Sequence, residues 1–381
     1  MKNAFATWKI IAAIGIGLIV TACLIWKQIN TSQFVIVEKG TGNYAWKDTN
    51  HNKQIDTSEC KVSVKGNVEK KGLLSILNAV HWTKNSCWWL FAALLCMLGR
   101  DIAYMVRIKI LSKHQLNWKS SFNVVLLWEF ASAVSPGAVG GASVAMFILN
   151  REKINLGRST TIVMITALMD NLFFILLIPL VFMIIPPVSL FPLQTSIDKS
   201  IAIVFWGGYT LIGIVCLLLY LGIFRYPTAI ANLLKFLCKS RILNRFLSKT
   251  DKLSNDMLVS AAILKKERWT FWLKGFSATF ISWISRYMVI NCLLASFFNI
   301  SLGSHMLIIA KQLILWIFML ISPTPGGSGV AEYAFGELMG VFSQSTLLII
   351  FIALLWRLIS YFPYLIIGSI LLPIWLRKTS S

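Results

Sequence analysis

Seven ionisable residues lie inside apolar stretches of the chain, where a charge is expected either to form an ion pair or to have a function. They are Glu129, Asp170, Arg286, Lys311, Glu332, Glu337 and Arg357. Each costs at least ~2.5 kcal/mol at the centre of a membrane helix, so a functional or paired role is the first interpretation. Three are cationic and four anionic, so a purely structural ion-pair network is the alternative. Glu332 is the strongest functional candidate, with Arg357 or Arg286 as its expected partner.

A run of helix breakers interrupts an apolar stretch directly before Glu332. Segment 322–332 reads Ser-Pro-Thr-Pro-Gly-Gly-Ser-Gly-Val-Ala-Glu. Its prolines lack a backbone donor and its glycines loosen the backbone, so a helix arriving through 307–320 must stop and a second must begin near Ser328. The breaking residues are Pro323, Pro325, Gly326, Gly327 and Gly329. A weaker counterpart lies at 133–141, with Pro136 and Gly137 in it.

Paired interrupted segments of this kind are typical of a transporter's substrate site. Lipid tolerates irregular backbone only where it is buried in protein or lines a watery cavity. Half-helices that begin near Gly141 and Ser328 would direct the positive ends of their dipoles at the membrane centre, where an anionic head group can bind. Arg286, Lys311 or Arg357 would add positive charge to that field.

The composition places the chain in the membrane. Of its 381 residues 57% are hydrophobic and only 13% are charged, far from the average of soluble domains. The formal charge of +21 lies on basic residues between apolar segments, which suits an anionic lipid surface and not nucleic acid. Four scattered histidines and the absence of a Gly-Lys-Ser/Thr phosphate loop argue against an enzyme.

The apolar segments and their flanking charges predict an all-α integral membrane protein with six spanning helices. The predicted spans are 10–26, 88–110, 160–185, 201–224, 276–298 and 347–376, the last kinked at Pro363. Within 88–110, Arg100 and Asp101 can pair with each other or extend to the inner surface, and Arg107 counts among the basic residues that mark the cytoplasmic end of this span. Both ends of 122–149 are basic, which predicts that both are cytoplasmic, whereas the flanks of 306–339 carry almost no basic charge. These two segments are therefore expected to be re-entrant broken helix pairs in inverted arrangement. The N- and C-termini are expected in the cytoplasm.

Three parts follow from this topology. Residues 1–26 form the first transmembrane helix, 27–85 an external polar loop insertion, and 86–376 the main transmembrane domain. Within it, 225–274 is either a set of basic amphipathic helices on the inner membrane surface or a plain cytoplasmic loop. Cleavage at a lipoprotein-like box before Cys23 is the alternative for the first segment. Cys60 and Cys87 lie on the expected external side, where a disulfide is one interpretation.

The external segment contains a calcium-loop-like motif at 48–59. Its oxygen ligands would be Asp48, Asn50, Asn52, the Gln54 carbonyl, Asp56 and Glu59. Lys53 occupies the position where glycine normally allows the sharp turn, and the preceding residues 40–46 predict a strand and turn instead of an entering helix. A solvated turn rich in Asn and Asp is the alternative. A bound calcium ion here would have a structural role.

Several motifs together resemble a known family. They are Pro323 to Glu332, Ser135 to Gly141 followed by Arg151 to Arg158, and Arg357 to Tyr361 with Gly368. This combination resembles the lysylphosphatidylglycerol synthetase/flippase transmembrane family over about residues 88–376. The resemblance implies a lipid translocase of the bacterial inner membrane that moves a phospholipid or polyprenyl-linked head group. The synthetase domain is absent, so neither aminoacylation nor a required cofactor is expected.

The resulting hypothesis is a flippase-like protein that holds a polar head group at its two helix breaks. Glu332 would orient the site, Arg357 and Arg286 would neutralise the phosphate, and Asp170, Lys311 and Glu129 would complete it. A homo-oligomer or a glycosyltransferase partner is compatible with this function. One alternative is a non-transporting membrane subunit that positions a lipid-linked sugar for a glycosyltransferase. Another is a membrane enzyme that uses Asp170 or Glu129.

Overall fold

The computed structural model describes most of the chain between residues 82 and 380, and parts of the polar segment before it. The described residues are 26, 32–47, 59–72, 82–135, 137–190, 196–226, 228, 256, 258–322, 324, 326–343 and 346–380. Several predicted features lie outside them. These are the first spanning helix except Trp26, most of the basic segment 225–274, Pro136, Pro323, Pro325, and the calcium ligands Asp48, Asn50, Asn52, Gln54 and Asp56.

Eleven α-helices are labelled here in chain order within the described residues. They are α1 (Lys84–Leu111), α2 (Trp118–Val134), α3 (Gly137–Arg151), α4 (Leu156–Ile184), α5 (Pro187–Leu190), α6 (Ser196–Tyr220), α7 (Trp269–Phe297), α8 (Leu302–Ile321), α9 (Val330–Met339), α10 (Thr346–Ser360) and α11 (Phe362–Ser380). A π-helical turn, Leu221–Arg225, extends α6, and a 3₁₀ turn, Gly340–Phe342, follows α9.

Six helical segments of the described chain are long and apolar enough to cross a membrane. They are Lys84–Leu111, Leu156–Ile184, Lys199–Arg225, Trp269–Phe297, Leu302–Ile321 and Leu348–Thr379. The protein is therefore a mostly helical, multi-pass membrane protein. Five of the six coincide with predicted spans, whereas the sequence assigned α8 to a re-entrant pair. At 20 residues, α8 is about 30 Å long, which matches the hydrocarbon core of a bilayer.

The last spanning segment is divided where the sequence predicts a kink. Helix α10 ends at Ser360 and α11 begins at Phe362, with Pro363 in the first turn of α11. Proline cannot donate a backbone hydrogen bond to the preceding turn, so the helix is interrupted just before it. This interruption places Tyr361 between two helices, where its side chain contacts Ala133 and Gly326.

The polar segment contains a β-sheet, of which the sequence predicted only the strand and turn at 40–46. The strands β1 (Ser32–Ile36), β2 (Gly42–Trp46), β3 (Cys60–Gly66) and β4 (Val68–Gly72) pair antiparallel in the order β1-β4-β2-β3. Fully buried Val68 and the edge-on contact of Phe34 with Tyr44, 4.9 Å between ring centroids, give the sheet an apolar face. The prediction of a purely α-helical chain thus applies only to the membrane part.

The Arg151 to Arg158 motif connects the ends of three helices. Arg151 Nη1 donates to the carbonyl of Thr379, near the end of α11, at 3.2 Å, and Arg158 Nη2 donates to the carbonyl of Ser112, just after α1, at 3.0 Å. Asn155 caps the first turn of α4 by accepting from the Arg158 amide at 2.8 Å. Cations that bind the free carbonyls at helix C-termini are favourable for both hydrogen bonding and the helix dipole.

Helix α11 packs closely against α2 because Gly368 has no side chain. A Cβ atom at Gly368 would overlap with the Phe130 side chain, which is only 7% exposed. Close helix packing at a small residue is a common source of attraction between membrane helices. Gly368 therefore fixes the distance between α2, which ends at the first helix break, and α11, which begins directly after Tyr361.

We predict that Gly368→Ala lowers the thermal unfolding temperature of the detergent-solubilised protein. Overpacking of a filled interior costs about 1–3 kcal/mol. The control is Gly213→Ala in α6, where no heavy atom lies within 4 Å of the added Cβ, and where alanine should be neutral or stabilising. Equal effects of the two substitutions would contradict the proposed close packing.

Candidate functional site

Both helix breaks contribute to one cavity of about 320 Å³. Ser135 and Ala142 line it from the first break, and Thr324, Gly326 and Gly327 line it from the second. Four arginines and two carboxylates also line it, together with eight aromatic side chains. The charged lining residues are Arg100, Arg107, Arg286, Arg357, Glu129 and Asp170. A cavity of this size is at the lower limit of small-molecule sites, and its lining is unusually charged for a membrane interior.

The second break is a glycine turn held by one carboxylate. Gly326, Gly327 and Gly329 have positive φ angles of 57°, 69° and 85°, a region that other residues rarely adopt. One oxygen of Glu332 accepts a hydrogen bond from the Gly329 amide at 2.6 Å. Its other oxygen accepts from Arg357 Nε at 2.8 Å. Glu332 therefore caps α9 and pairs with Arg357, which is one of the two partners that the sequence predicted.

Arg357 is almost completely buried and retains an unused donor. It is 3% exposed, and its Nη1 donates to the carbonyl of Gly326 at 3.0 Å. The guanidinium lies 4.8 Å from the ring centroid of Tyr361 and 5.2 Å from that of Trp356. Its Nη2 has no hydrogen-bond partner among the described residues. A buried donor without an acceptor is unfavourable, so an acceptor oxygen that reached this nitrogen would remove an existing energetic cost.

Arg100 forms a second, fully paired group of charges. The sequence allowed Arg100 and Asp101 to pair with each other or to extend to the inner surface. Arg100 is only 3% exposed, so it does not extend to the surface. It forms ion pairs with Asp101, at 2.7 Å, and with Glu129, and Tyr364 Oη donates to Asp101 Oδ1 at 2.7 Å.

Arg107 forms a third group, and its position corrects the sequence analysis. The positive-inside rule counted Arg107 as a cytoplasmic surface charge, but it is 2% exposed and pairs with Asp170 at 2.5 Å. Its Nη1 also donates to Thr279 Oγ1 at 3.2 Å, and its guanidinium lies 4.3 Å from the Tyr104 ring centroid. Trp283 Nε1 donates to Asp170 at 2.8 Å. The Nε of Arg107 has no partner among the described residues.

Arg286 lines the cavity without a carboxylate partner. Its guanidinium lies 5.4 Å from the ring centroid of Trp283 and 5.7 Å from that of Trp316. Within the part of the chain that the structure describes, no ion pair joins Arg286 to a carboxylate. Arg286 is also half-buried. It is therefore the lining arginine without a direct carboxylate contact among the described side chains, and Glu129 attracts it only from beyond ion-pair distance.

Tyr361 connects the two helix breaks. Its hydroxyl donates to the carbonyl of Ala133, at the end of α2, at 3.1 Å. Its ring occupies the space where a Cβ atom of residue 326 would lie, so the glycine at Gly326 also permits this contact. Tyr361 ends the sequence motif that begins at Arg357, and nothing in that motif indicates this connecting role.

The structure brings most but not all of the predicted site residues together. Glu129, Asp170, Arg286, Gly326, Gly327 and Arg357 line the cavity, and Glu332 reaches it through Arg357. Gly137 begins α3 and Gly329 precedes α9. Lys311 is buried, at 9% exposure, but it is not among the lining residues, and Glu337 is exposed. Helix α8 contributes Trp316, Met319 and Leu320 to the lining, all near its C-terminal end, so Lys311 lies more than one helical turn away from the cavity along the helix axis.

Arg100, Tyr104 and Arg107 were missed as site residues, although a signal for them exists in the sequence. They occur at positions i, i+4 and i+7, which places them on one face of a helix. A polar face of this spacing on a spanning helix points to the protein interior, because the alternative is exposure to lipid.

The predicted calcium site remains a prediction. The motif lies between β2 and β3 in the sequence. Trp46, before the motif, and Cys60, after it, are paired as neighbours in the sheet. Of its ligands only Glu59 lies among the described residues, where it accepts a hydrogen bond from Trp46 Nε1 at 3.1 Å. Among the described residues no three His, Cys, Asp or Glu side chains are grouped to hold a metal ion. The disulfide between Cys60 and Cys87 that the sequence offered is not formed, because Cys87 is a free thiol.

Comparison with known proteins identifies what this chain is similar to. The sequence model described as "Lysylphosphatidylglycerol synthase TM region" matches residues 67–368. A protein of Archaeoglobus fulgidus described as "UPF0104 membrane protein" is 25% identical over 319 residues, which cover 78% of this chain and 88% of the relative. No solved structure matches the chain.

We predict that Asp170→Asn destabilises the protein by about 3 kcal/mol, because it leaves the buried guanidinium of Arg107 unpaired. The double variant Arg107→Met/Asp170→Leu should recover part of this loss, since it removes both charges. Chemical unfolding of the solubilised protein measures both values.

The control for the Asp170 and Arg107 variants is Glu267→Gln. It removes an ion pair with Lys113 that is partly exposed to solvent, so it should change stability by at most about 1 kcal/mol. A double variant no more stable than Asp170→Asn would show that the Arg107–Asp170 pair is not an isolated buried charge pair.

Proposed function

This chain belongs to the lysylphosphatidylglycerol synthase TM-region family, and from that premise we propose that it is a lipid translocase that moves a polar head group across the membrane. The observation that supports this function best is that both helix breaks line a single cavity with four arginines. Irregular backbone at membrane depth is tolerated where it lines a cavity, and transporters place their substrate between such broken segments.

The cavity suits a head group and not a whole lipid. Its volume of about 320 Å³ can hold a phosphate and its polar substituent, while the acyl chains remain in the surrounding lipid. The amino ends of α3 and α9 lie at the two breaks, and each contributes a partial positive charge. Glu332 holds the second break and Arg357 together, so the site is rigid before the ligand enters.

In the same proposal the two broken pairs are re-entrant from opposite membrane faces. Helices α2 and α3, with 17 and 15 residues, would enter and leave at the cytoplasmic face, and α8 and α9 at the outer face. The 10 residues of α9 reach only about 15 Å, half of the hydrocarbon core. An inverted arrangement of this kind is found in secondary transporters.

The proposal also includes the cellular setting. The protein would lie in the bacterial cytoplasmic membrane with both termini in the cytoplasm. Its partner would be a phospholipid or polyprenyl-linked lipid, its activity would require no cofactor and no catalysis, and a second copy of the chain could accompany it. Calcium at 48–59 would stabilise the sheet and take no part in transport.

We predict that Arg357→Gln and Glu332→Gln each reduce lipid translocation by at least about tenfold, because each removes one partner of the ion pair that holds the second break. Purified protein in liposomes with fluorescent lipids, quenched from outside by dithionite, measures the rate. Glu337→Gln is the matched control, since Glu337 is an exposed carboxylate on the same helix.

Normal translocation by both variants would contradict the proposed role of the pair, provided that circular dichroism shows them folded. Binding of lipid by the wild-type protein without any translocation would favour the alternative, in which the protein positions a lipid-linked sugar for a glycosyltransferase.

We predict that the two ends of each broken pair react from the same membrane face. Single cysteines at Lys119 and Lys153, which flank α2 and α3, should react with a membrane-impermeant maleimide only from the cytoplasmic side. Cysteines at Gly303 and Val341, which flank α8 and α9, should react only from the outside. All four positions are exposed, and the native cysteines are replaced beforehand.

Reaction of Gly303 and Val341 from opposite faces would mean that α8 crosses the membrane and that its pair is not re-entrant. Reaction of cysteines at Lys119 and Lys153 from opposite faces would likewise mean that the pair α2 and α3 is not re-entrant.

A further inference from the structure

The carboxylates around the cavity are all engaged by the protein itself. Each accepts hydrogen bonds or forms an ion pair with a described side chain or amide. The pairs are Glu129 with Arg100, Asp101 with Arg100 and Tyr364, Asp170 with Arg107 and Trp283, and Glu332 with Arg357 and the Gly329 amide. A cationic ligand group would have to displace an arginine from one of them. Charge-assisted hydrogen bonds of this kind are the strongest in a protein.

The arginines, in contrast, retain donors for an anion. Arg357 Nη2 and Arg107 Nε have no partner among the described residues, although these residues are only 3% and 2% exposed. Both line the cavity, as does Arg286, whose guanidinium forms no ion pair with a described carboxylate. Buried donors without acceptors are unfavourable, and phosphate oxygens are the acceptors that guanidinium groups match in geometry.

Arg286 is oriented by aromatic rings and not by an ion pair with a described carboxylate. Its guanidinium lies between 5 and 6 Å from the ring centroids of Trp283 and Trp316, at 5.4 and 5.7 Å. Trp283 is itself fixed, because its Nε1 donates to Asp170 at 2.8 Å. Contacts with aromatic faces orient a guanidinium but do not neutralise it. The aromatic faces are therefore already occupied by a cation of the protein.

We infer that the cavity selects head groups by charge: it takes an anionic phosphate ester that carries no cationic group, and Arg286 determines this selectivity. This inference rests on the proposed translocase function and adds the substrate class. A phosphate ester with an amine, such as an ethanolamine, choline or aminoacyl head group, brings a positive charge next to Arg286 and meets no free carboxylate. An acidic phospholipid and a polyprenyl phosphate both have the required chemistry.

The selectivity is tested on the full-length wild-type protein in phosphatidylcholine vesicles. Each vesicle preparation contains a trace of one fluorescent lipid with the same label on an acyl or prenyl chain. The compared lipids are phosphatidylglycerol, phosphatidic acid, a polyprenyl phosphate, phosphatidylethanolamine and lysylphosphatidylglycerol. We expect at least one anionic lipid to cross about tenfold faster than the amine-bearing lipids, the factor that corresponds to one hydrogen bond to a charged group. The phosphatidyl and polyprenyl arms distinguish the two sources of the anion.

Variants of Arg286 test the assigned residue. Arg286→Gln should reduce the preference for anionic lipids to about twofold or less, and Arg286→Lys should keep part of it, because charge remains while the planar donor pair is lost. Arg268→Gln is the matched control, since Arg268 is an exposed arginine at the start of the same helix, and it should keep the wild-type preference. Native mass spectrometry of bound lipid gives a second readout that does not depend on transport.

The outcomes separate this inference from the proposed function. Equal rates and equal binding of anionic and amine-bearing lipids by the wild type overturn the charge selectivity but leave a translocase. Retention of anionic lipid with no movement of any lipid overturns the translocase function and supports the selectivity of the cavity. An unchanged preference in Arg286→Gln overturns the assignment to Arg286.

Discussion

The ion pair of Glu332 and Arg357 satisfies the backbone at the second helix break, and the geometry of the cavity depends on it. A membrane interior offers no water to an unpaired amide or carbonyl, so a broken helix must find other partners. Arg357 donates to the Gly326 carbonyl and Glu332 accepts from the Gly329 amide. One pair of side chains thus completes the hydrogen bonding at both ends of the glycine turn. Neither charge can be removed without leaving a buried partner unsatisfied.

The other buried charges are difficult to explain by stability alone. The attraction within a buried ion pair is largely offset by the loss of hydration, and apolar residues of the same size are often as stable. Arg100 is fully engaged with Asp101 and Glu129 and reads as structural. Arg107 and Arg357 each keep one unused donor. Arg286 forms no ion pair with a described carboxylate at all. The unsatisfied donors of Arg107 and Arg357 and the unpaired charge of Arg286 are the physical basis of the proposed preference for anions.

The sequence predicts the parts of this architecture that depend on local composition. Long apolar runs identified five of the six candidate spans, and the prolines and glycines identified the second break. The position of a charge across the membrane is harder to predict, because the positive-inside rule counts Arg107 without knowing its depth. Beyond the strand at 40–46 the β-sheet was missed, because its strands are short and polar and its apolar face depends on the pairing of distant residues such as Phe34 and Tyr44. Lys311 shows the same limit, since the sequence does not tell how far along α8 the cavity extends.

Tyr361 connects the two breaks, and this contact restricts how the proposed translocation can proceed. Its hydroxyl donates to Ala133 at the end of α2, and its ring fills the space beside Gly326. Tyr361 also separates α10 from α11, one helical turn beyond Arg357. Any displacement of the second break therefore moves the ring that holds the end of α2. Because Arg357 and Tyr361 both contact Gly326, a head group bound at Arg357 would lie beside the contact that joins the two breaks.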